Sequence, residues 1–410
     1  MHPVPPEPAE RRPRLTPARA DVRRAVRQSL AEQLSPGSGV RPQDGAATAP
    51  LVLVALSGGA DSLALAAATA FEARRAGIRA GAVIVDHALQ ERSADVAAQA
   101  ARQATELGLD PVIVTRVFVD GQGGPEAAAR DARYRAIGEA AARSGAMAVL
   151  LGHTLDDQAE TVLLGLARGS GAASLQGMAA SATLPIQAAT LPTLPTLPIS
   201  AEVWQSVVPD AAEGQNARLQ PSDRPSHATP QRPQPTEVHL LRPLLGIRRA
   251  TTRQFCADSG LTPWDDPHND DPTYTRVRVR TRVLPLLEAE LGPGVAEALA
   301  RTADQLREDN EALDRFADEV AEELAEIAEG GISLPVGALA ANPPALRHRL
   351  IRLAVLSEFH VSLSRQHTLE IARLVTDWHG QGPLDLPGIR VERADGLIVF
   401  TAAGPDPDHG

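Results

Sequence analysis

The chain has 410 residues, enough for about two or three domains and a sizeable core. Apolar residues make up 43% but aromatics only 3%, so that core is built mostly from Ala, Leu and Val. The net charge is −11, every one of the 40 basic residues is arginine, and the single cysteine, Cys256, excludes a disulfide framework or a metal site built on two or four cysteines. No apolar run reaches the roughly 18 residues of a membrane span. The first residues, MHPVPPEPAERRPR, hold no apolar signal core, so a cytoplasmic location is expected. An acidic balance does not advertise nucleic-acid binding, but charge here is segregated. Acid is concentrated in Glu297–Glu329 and arginine in Arg11–Arg27, Arg242–Arg253 and Arg276–Arg282, which leaves an RNA partner open through local patches.

In chain order, residues 1–14 are rich in Pro and charge and are expected to be disordered. Thr16-Pro17 has the form of an N-cap followed by Pro at the first helical position, and Val22, Val26, Leu30 and Leu34 recur at helical spacing. One amphipathic helix is predicted there, then a linker over Gly37–Ala49. From Leu51 strands alternate with Ala-rich helical stretches: Leu51–Leu56, Gly81–Val85, Pro111–Phe118 and Ala146–Leu151. This βα alternation predicts an α/β fold, a Rossmann-like parallel sheet with helices on both faces. Ligands then gather beyond the carboxyl ends of the strands, where Ser57, Asp86-His87, Asp120-Gly121 and Gly152-His153 fall.

Residues 181–236 break the pattern with Leu-Pro repeats and a Pro/Gln/Ser/Ala-rich stretch, read as a disordered insertion. Order resumes at Val238–Leu245. A long acidic helix follows over about Gly294–Glu329, two more helices over Pro343–His379, and a hairpin pairing Ile389–Glu392 with Leu397–Phe400 around Asp395-Gly396. The expected domains are 1–48, a tail with the helix; 49–290, the α/β domain interrupted at 181–236; 291–402, a helical connector with a small C-terminal α+β module; and the tail 403–410.

Two stretches carry chemistry. Ser57-Gly58-Gly59-Ala60-Asp61-Ser62 turns from an apolar strand into a helix, where glycines and free N–H groups suit phosphate. It is not a Walker A loop, which needs a lysine. It resembles the SGGxDS turn of the ATP-pyrophosphatase (PP-loop) superfamily, whose members split ATP between the α and β phosphates. The second stretch is His153-Thr154-Leu155-Asp156-Asp157-Gln158-Ala159-Glu160-Thr161. Asp157 and Glu160 are three apart on one face of a helix's first turn, close to a capping box, yet Arg168-Gly169-Ser170-Gly171 and His153 exceed what capping requires.

H-x-x-D-D-Q-x-E-T followed by L-x-R-G-S-G and G-M resembles the tRNA(Ile)-lysidine synthetase family. Similar too are Val85-Asp86-His87-x-Leu89, Glu126-Ala127-x-Ala129-Arg130-x-x-Arg133-Tyr134, Arg242-Pro243-Leu244-Leu245, and Tyr274-Thr275-Arg276 through Leu284-Pro285-Leu286-Leu287. Arg276-Val277 stands where the family usually has Arg-Asn, and Leu89-Gln90 where it often has Leu-Arg.

The resemblance implies an AMP-forming ligase that joins free L-lysine to C2 of the cytidine at the first anticodon position (CAU) of tRNA(Ile). The cytidine is first adenylated by ATP, with Mg²⁺, and the product reads AUA in place of AUG. It also implies roles. Ser57, Gly58, Gly59, Ala60, Asp61 and Ser62 hold the ATP phosphates, Asp61 helps to hold Mg²⁺, and Asp86 and His87 border the nucleotide. Arg130 stabilises charge on the pyrophosphate or adenylate, and Asp157 with Glu160 receives the lysine ammonium groups. His153, Asp156, Arg168, Arg276 and Arg280 complete the expected substrate contacts. Arg276–Arg282 offers phosphate contacts whether strand or helix. Another ATP-pyrophosphatase-type ligase or tRNA-modifying enzyme using a different amine donor is the alternative, and a homodimer is compatible with the chain.

Overall fold

A computed structural model describes residues 15–34, 49–86, 93–117, 125–169, 171–185, 237–324, 326–328 and 331–403. The expected tails, His87, Asp120, Gly121, Ser170 and residues 186–236 of the insertion lie outside the described residues. The chain forms two compact units, Met1–Gly169 with Gly177–Arg301, and Ser170–Gln176 with Thr302–Gly410.

The first unit is built on a six-stranded sheet. Its strands are β1 (Leu51–Ala55), β2 (Arg79–Asp86), β3 (Val112–Arg116), β4 (Ala146–Leu150), β5 (Ser181–Pro185) and β6 (Glu237–Leu241), in the spatial order β3-β2-β1-β4-β6-β5. All neighbours are parallel except β5, which runs antiparallel to β6 at the edge. The strands read as continuous apolar runs because both faces are covered. In β1, Val52 and Val54 enter one core while Leu51 and Leu53 enter the other, as the two-residue pleat requires.

The first face is covered by four helices: α1 (Pro17–Leu34), α2 (Ala60–Ala76), α3 (Ser93–Glu106) and a helix at Arg249–Asp258. The other is covered by α4 (Pro125–Ser144) through Ile137, Ala140 and Ala141. In α1, Val22, Val26 and Leu30 of the predicted stripe are buried, about 1.5–3 kcal/mol for each side chain, and the Leu34 side chain lies outside the described residues.

Strand β5 corrects one sequence expectation. The Pro-rich composition predicts disorder from residue 181, yet residues 181–185 pair with β6 from Ser181↔Leu241 to Pro185↔Glu237. Pro185 can end an edge strand because it has no ladder bond to donate beyond it.

α5 (Leu155–Ala167) follows β4, with α6 (Ala172–Leu175) after it; the Arg249–Asp258 helix is α7. Thr275–Arg278 is helical, Val279–Val283 is a π-helical turn, and Leu284–Leu291 is helical again. A small core joins α5 to this segment through Leu155, Ala159, Val279 and Leu284. The acidic helix is observed at Val295–Leu324.

The second unit has a five-stranded antiparallel sheet whose central hairpin pairs Ile389–Ala394 with Leu397–Ala402. Asp395 and Gly396 make its turn with φ of 49° and 80°, the left-handed pair that an Asp-Gly hairpin favours. Helices Pro344–Phe359 and Arg365–Thr376 bury Leu350, Ile351, Ile371 and Leu374 against Ile389, Val391, Ile398 and Phe400. The unit is thus the α+β module read from the sequence. Among the described residues no helix is long and apolar enough to cross a membrane.

Gly81 marks the closest approach within the parallel sheet. A Cβ there would lie 2.5 Å from the Pro111 carbonyl oxygen and 2.8 Å from Leu53 Cδ2. The same carbonyl accepts the Ala82 N–H at 2.8 Å, so it is held in place. Gly81→Ala is expected to destabilise the protein by about 1–3 kcal/mol through overpacking. A lower urea midpoint at an unchanged m-value would register this.

Candidate active site at the phosphate-binding turn

The strand order reverses between β1 and β4, and a cleft of about 510 Å³ opens there beyond their carboxyl ends. Ser57–Ser62 forms one wall. Gly58 takes a φ of 85°, and Gly59 is the N-cap of α2 without a side-chain cap, so the first N–H groups of the helix are left for a ligand. Ser62 Oγ closes the turn, accepting the Ser57 N–H at 3.2 Å and donating to the Gly59 carbonyl at 3.0 Å. The turn is braced from outside, where the Trp264 N–H donates to the Gly58 carbonyl at 2.9 Å. Gly152, after β4, is so close that a Cβ would sit 3.1 Å from the Ser62 backbone.

The capping box of α5 falls three residues earlier than the Asp157–Glu160 spacing suggested. Thr154 is its N-cap and Asp157 its N3 residue, so the capping box joins these two, not Asp157 and Glu160. Asp157 Oδ2 accepts the Thr154 N–H and hydroxyl, each at 2.8 Å. Its Oδ1 accepts Arg249 Nη2 at 2.7 Å. Burial acts to raise the Asp157 pKa, but the Arg249 charge and the Thr154 hydrogen bonds outweigh it and hold the carboxyl below its ordinary range.

Glu160 is 0% exposed and lies behind the cleft wall. Arg280 grips it with Nε at 2.8 Å and Nη2 at 3.1 Å, Arg249 Nη1 donates at 3.2 Å, and Arg276 Nε stands at 3.5 Å. Arg276 also donates to Thr161 Oγ1 at 3.0 Å. Asp61 accepts from the Thr252 hydroxyl and, at 3.4 Å, from Arg249 Nε. Burial dominates at Asp61 and leaves its pKa raised despite these two partners.

Asp156 faces away from the cleft. Its Oδ2 accepts the backbone N–H of Arg249 at 2.7 Å, capping the start of α7, and its Oδ1 meets Arg248 Nη1 at 3.3 Å. Asp86 lines the cleft and is paired with Arg116 Nε at 2.9 Å. Arg130 is exposed on α4, its guanidinium 5.2 Å from the Tyr134 ring centre, and it does not line the cleft; Arg133, three residues on, does. Arg168 is exposed at the end of α5.

The structure therefore gathers Ser57–Ser62, Asp61, Asp86, His153, Asp157 and Arg280 around the cleft, with Glu160 and Arg276 behind it. Sequence reading missed Arg249, Thr252, Arg133 and the segment Trp264–Asp270, whose Trp264, Asp266, His268 and Asn269 line the cleft. The available signals were the WDDPHNDD run beside Tyr274-Thr275-Arg276 and the arginine that follows Arg242-Pro243-Leu244-Leu245 by four residues. Cys256 is buried, and burial, with the nearby Asp61 charge, pushes its thiol up to about 12, which removes it as a nucleophile.

A parallel sheet that presents a glycine turn and an uncapped helix start to a polar cleft defines a PP-loop nucleotide-binding protein, and the PP-loop domain model matches residues 24–196 and 219–287. A TilS substrate binding domain model matches residues 334–398. The tRNA(Ile)-lysidine synthase of Leifsonia xyli is 58% identical over 351 residues, covering 85% of this chain and 89% of that one. Those of Streptomyces coelicolor and Thermobifida fusca are 48% and 43% identical, covering 86% and 94% of this chain and 85% and 98% of theirs. The chain belongs to the tRNA(Ile)-lysidine synthase family. Among solved structures, a U34-tRNA thiolase NcsA of Methanococcus maripaludis aligns with a TM-score of 0.45 at 16% identity over 71% of this chain and 80% of that one.

His153 lines the cleft, and its buried Nδ1 has no hydrogen-bond partner among the described residues. Burial, helped by the charges of Arg242, Arg133 and Arg130 and opposed by Asp157, lowers its pKa to about 4 from the ordinary 6.5. The imidazole is neutral in the folded protein at pH 6, whereas the unfolded chain takes up a proton below 6.5. Stability is then lost as pH falls from about 6.5 towards 4. The His153 resonances are expected to show no titration between pH 8 and 5, and His153→Gln to flatten that part of the stability profile.

Proposed function

We propose that this ligase uses ATP to join L-lysine to C2 of the cytidine at the first anticodon position of a CAU-bearing tRNA(Ile), releasing AMP and diphosphate. Cytosine O2 attacks the α-phosphorus of ATP, so an O–P bond forms as the bond to the β-phosphate oxygen breaks. The lysine ε-amine, after losing a proton, then attacks C2, and the C2–O bond breaks to release AMP. The observation that carries this reading is that one cleft holds both the phosphate-binding turn and the Asp157 carboxylate, so a nucleotide and an amine meet there.

The backbone N–H groups at Gly59–Ser62 receive the phosphates. Arg133, placed in the cleft, takes the charge-stabilising role expected of Arg130. Asp157 receives a substrate ammonium at the cleft wall, while Glu160 supplies buried negative charge behind it. Neutral His153 offers its Nδ1, unpartnered among the described residues, to a substrate donor. Asp86 borders the nucleotide from the end of β2.

Mg²⁺ binds through few protein carboxylates and the phosphates themselves. Asp61, beside the turn, fits such a single-carboxylate role, and the described residues form no cluster of three or more metal-binding side chains. When bound, the ion would offset phosphate charge. We assign residues 49–290 to catalysis and 291–402 to tRNA contact, within a cytoplasmic enzyme.

The decisive assay measures diphosphate release with ATP, Mg²⁺, lysine and a CAU-anticodon isoleucine tRNA, each omitted in turn. Dependence on all of them, with labelled lysine becoming acid-precipitable, supports the reading. Release without lysine incorporation overturns it in favour of another amine donor. Asp157→Asn is expected to raise the KM for lysine about tenfold or more, the scale of one charge-assisted hydrogen bond, and to alter the KM for ATP far less. Equal effects on the two KM values would remove Asp157 from the amine site.

A further inference from the structure

Asp157 does not stand open to solvent and substrate. Arg249 spends all three guanidinium nitrogens on carboxylates, with Nη2 on Asp157 at 2.7 Å, Nη1 on Glu160 at 3.2 Å and Nε on Asp61 at 3.4 Å. Its main chain is fixed independently, by Asp156 at the start of α7. The side chain lines the cleft and is 18% exposed, so it lies where an entering cation would arrive. The three carboxylates are not equally dependent on it. Glu160 keeps both bonds from Arg280 and Asp61 keeps Thr252, whereas Asp157 keeps the Thr154 cap and an Arg280 nitrogen no closer than 3.7 Å.

We propose that Arg249 is an internal counter-ion which the amine substrate displaces from Asp157, and that it thereby sets the affinity for lysine. The inference rests on the reading that a lysine ammonium binds at Asp157. The Thr154 hydrogen bonds help to hold this enclosed carboxylate ionised but bring no charge, so the amine-free site uses a cation of its own to balance it. Lysine brings a replacement charge, and Arg249 gives up one of three partners while keeping Glu160 and Asp61. The observed affinity is therefore the intrinsic affinity weakened by competition with a tethered guanidinium, whose effective concentration is high. Removing the competitor tightens lysine binding and also leaves Asp157 short of a partner when lysine is absent.

The test is calorimetric and thermal titration of L-lysine into the full-length protein with Mg²⁺ and ATP but without tRNA, so that no turnover occurs. Arg249→Gln is expected to bind lysine about tenfold or more tightly than the wild type. It is expected to melt at a lower temperature without lysine and to gain more melting temperature on adding it. Adding Asp157→Asn to that variant should abolish the gain in affinity. Arg249→Lys, which keeps one cation with shorter reach, should fall between the two and carries the test if the Gln variant does not fold. Lysine binding no tighter in these variants than in a lysine-binding wild type overturns the displacement idea alone, as does a gain that survives Asp157→Asn. A wild type that binds ATP but no lysine overturns the amine-site reading, and this inference with it.

Discussion

A fully buried glutamate organises the site. Glu160 faces Arg249, Arg280 and Arg276, which come from α7 and from the helical segment that begins at Thr275. A carboxylate with no access to water is tolerated only when cations and hydrogen bonds satisfy it, and removing one partner of such a group is far more costly than breaking a surface pair. Glu160 consequently ties two distant pieces of chain to α5. Through Arg249 the tie reaches Asp61, at the start of α2, and so the phosphate-binding turn itself.

This network only matters because the sheet places its members together. β1 and β4 are adjacent and parallel, with crossovers leaving in opposite directions, so the helices that follow them begin side by side at the point where the order reverses. Gly152 allows the two helix starts to approach within backbone contact of Ser62. The Thr154–Asp157 capping box then fixes one Asp157 oxygen, leaving the other to face Arg249. The π-helical turn at Val279–Val283 lies beside this arrangement and carries Arg280 onto Glu160. Such turns widen a helix by one residue and recur at functional sites.

Much of the fold was legible because burial on both faces writes itself into the chain as short apolar runs. Strands expected at Leu51–Leu56, Gly81–Val85 and Ala146–Leu151 are observed at Leu51–Ala55, Arg79–Asp86 and Ala146–Leu150. Strand β5 was not legible: its alternation, with Ala182 and Leu184 packed and Ser181 and Thr183 exposed, spans too few residues to stand out a few residues ahead of the Leu-Pro repeats. Arg276–Arg282 fits both a strand and a helix by charge alternation alone; packing of Val279 and Leu284 against Leu155 and Ala159 decided for the helix. Arg130 and Arg133 are indistinguishable in sequence, and only the rotation of α4 separates the exposed one from the one in the cleft.

By itself, the sequence determined the parallel sheet, the phosphate-binding turn, the helix that follows β4 and the family to which they belong. These are local patterns, set by the periodicity of burial and by the backbone needs of glycine and capping residues. The tertiary structure decided who pairs with whom. Arg249 meets carboxylates 89, 92 and 188 residues away, Asp156 caps a helix 93 residues on, and Glu160 turns inward where local spacing suggested an open acidic pair. Charge pairing depends on distance in space, and no local pattern in the chain encodes a distance across a sheet.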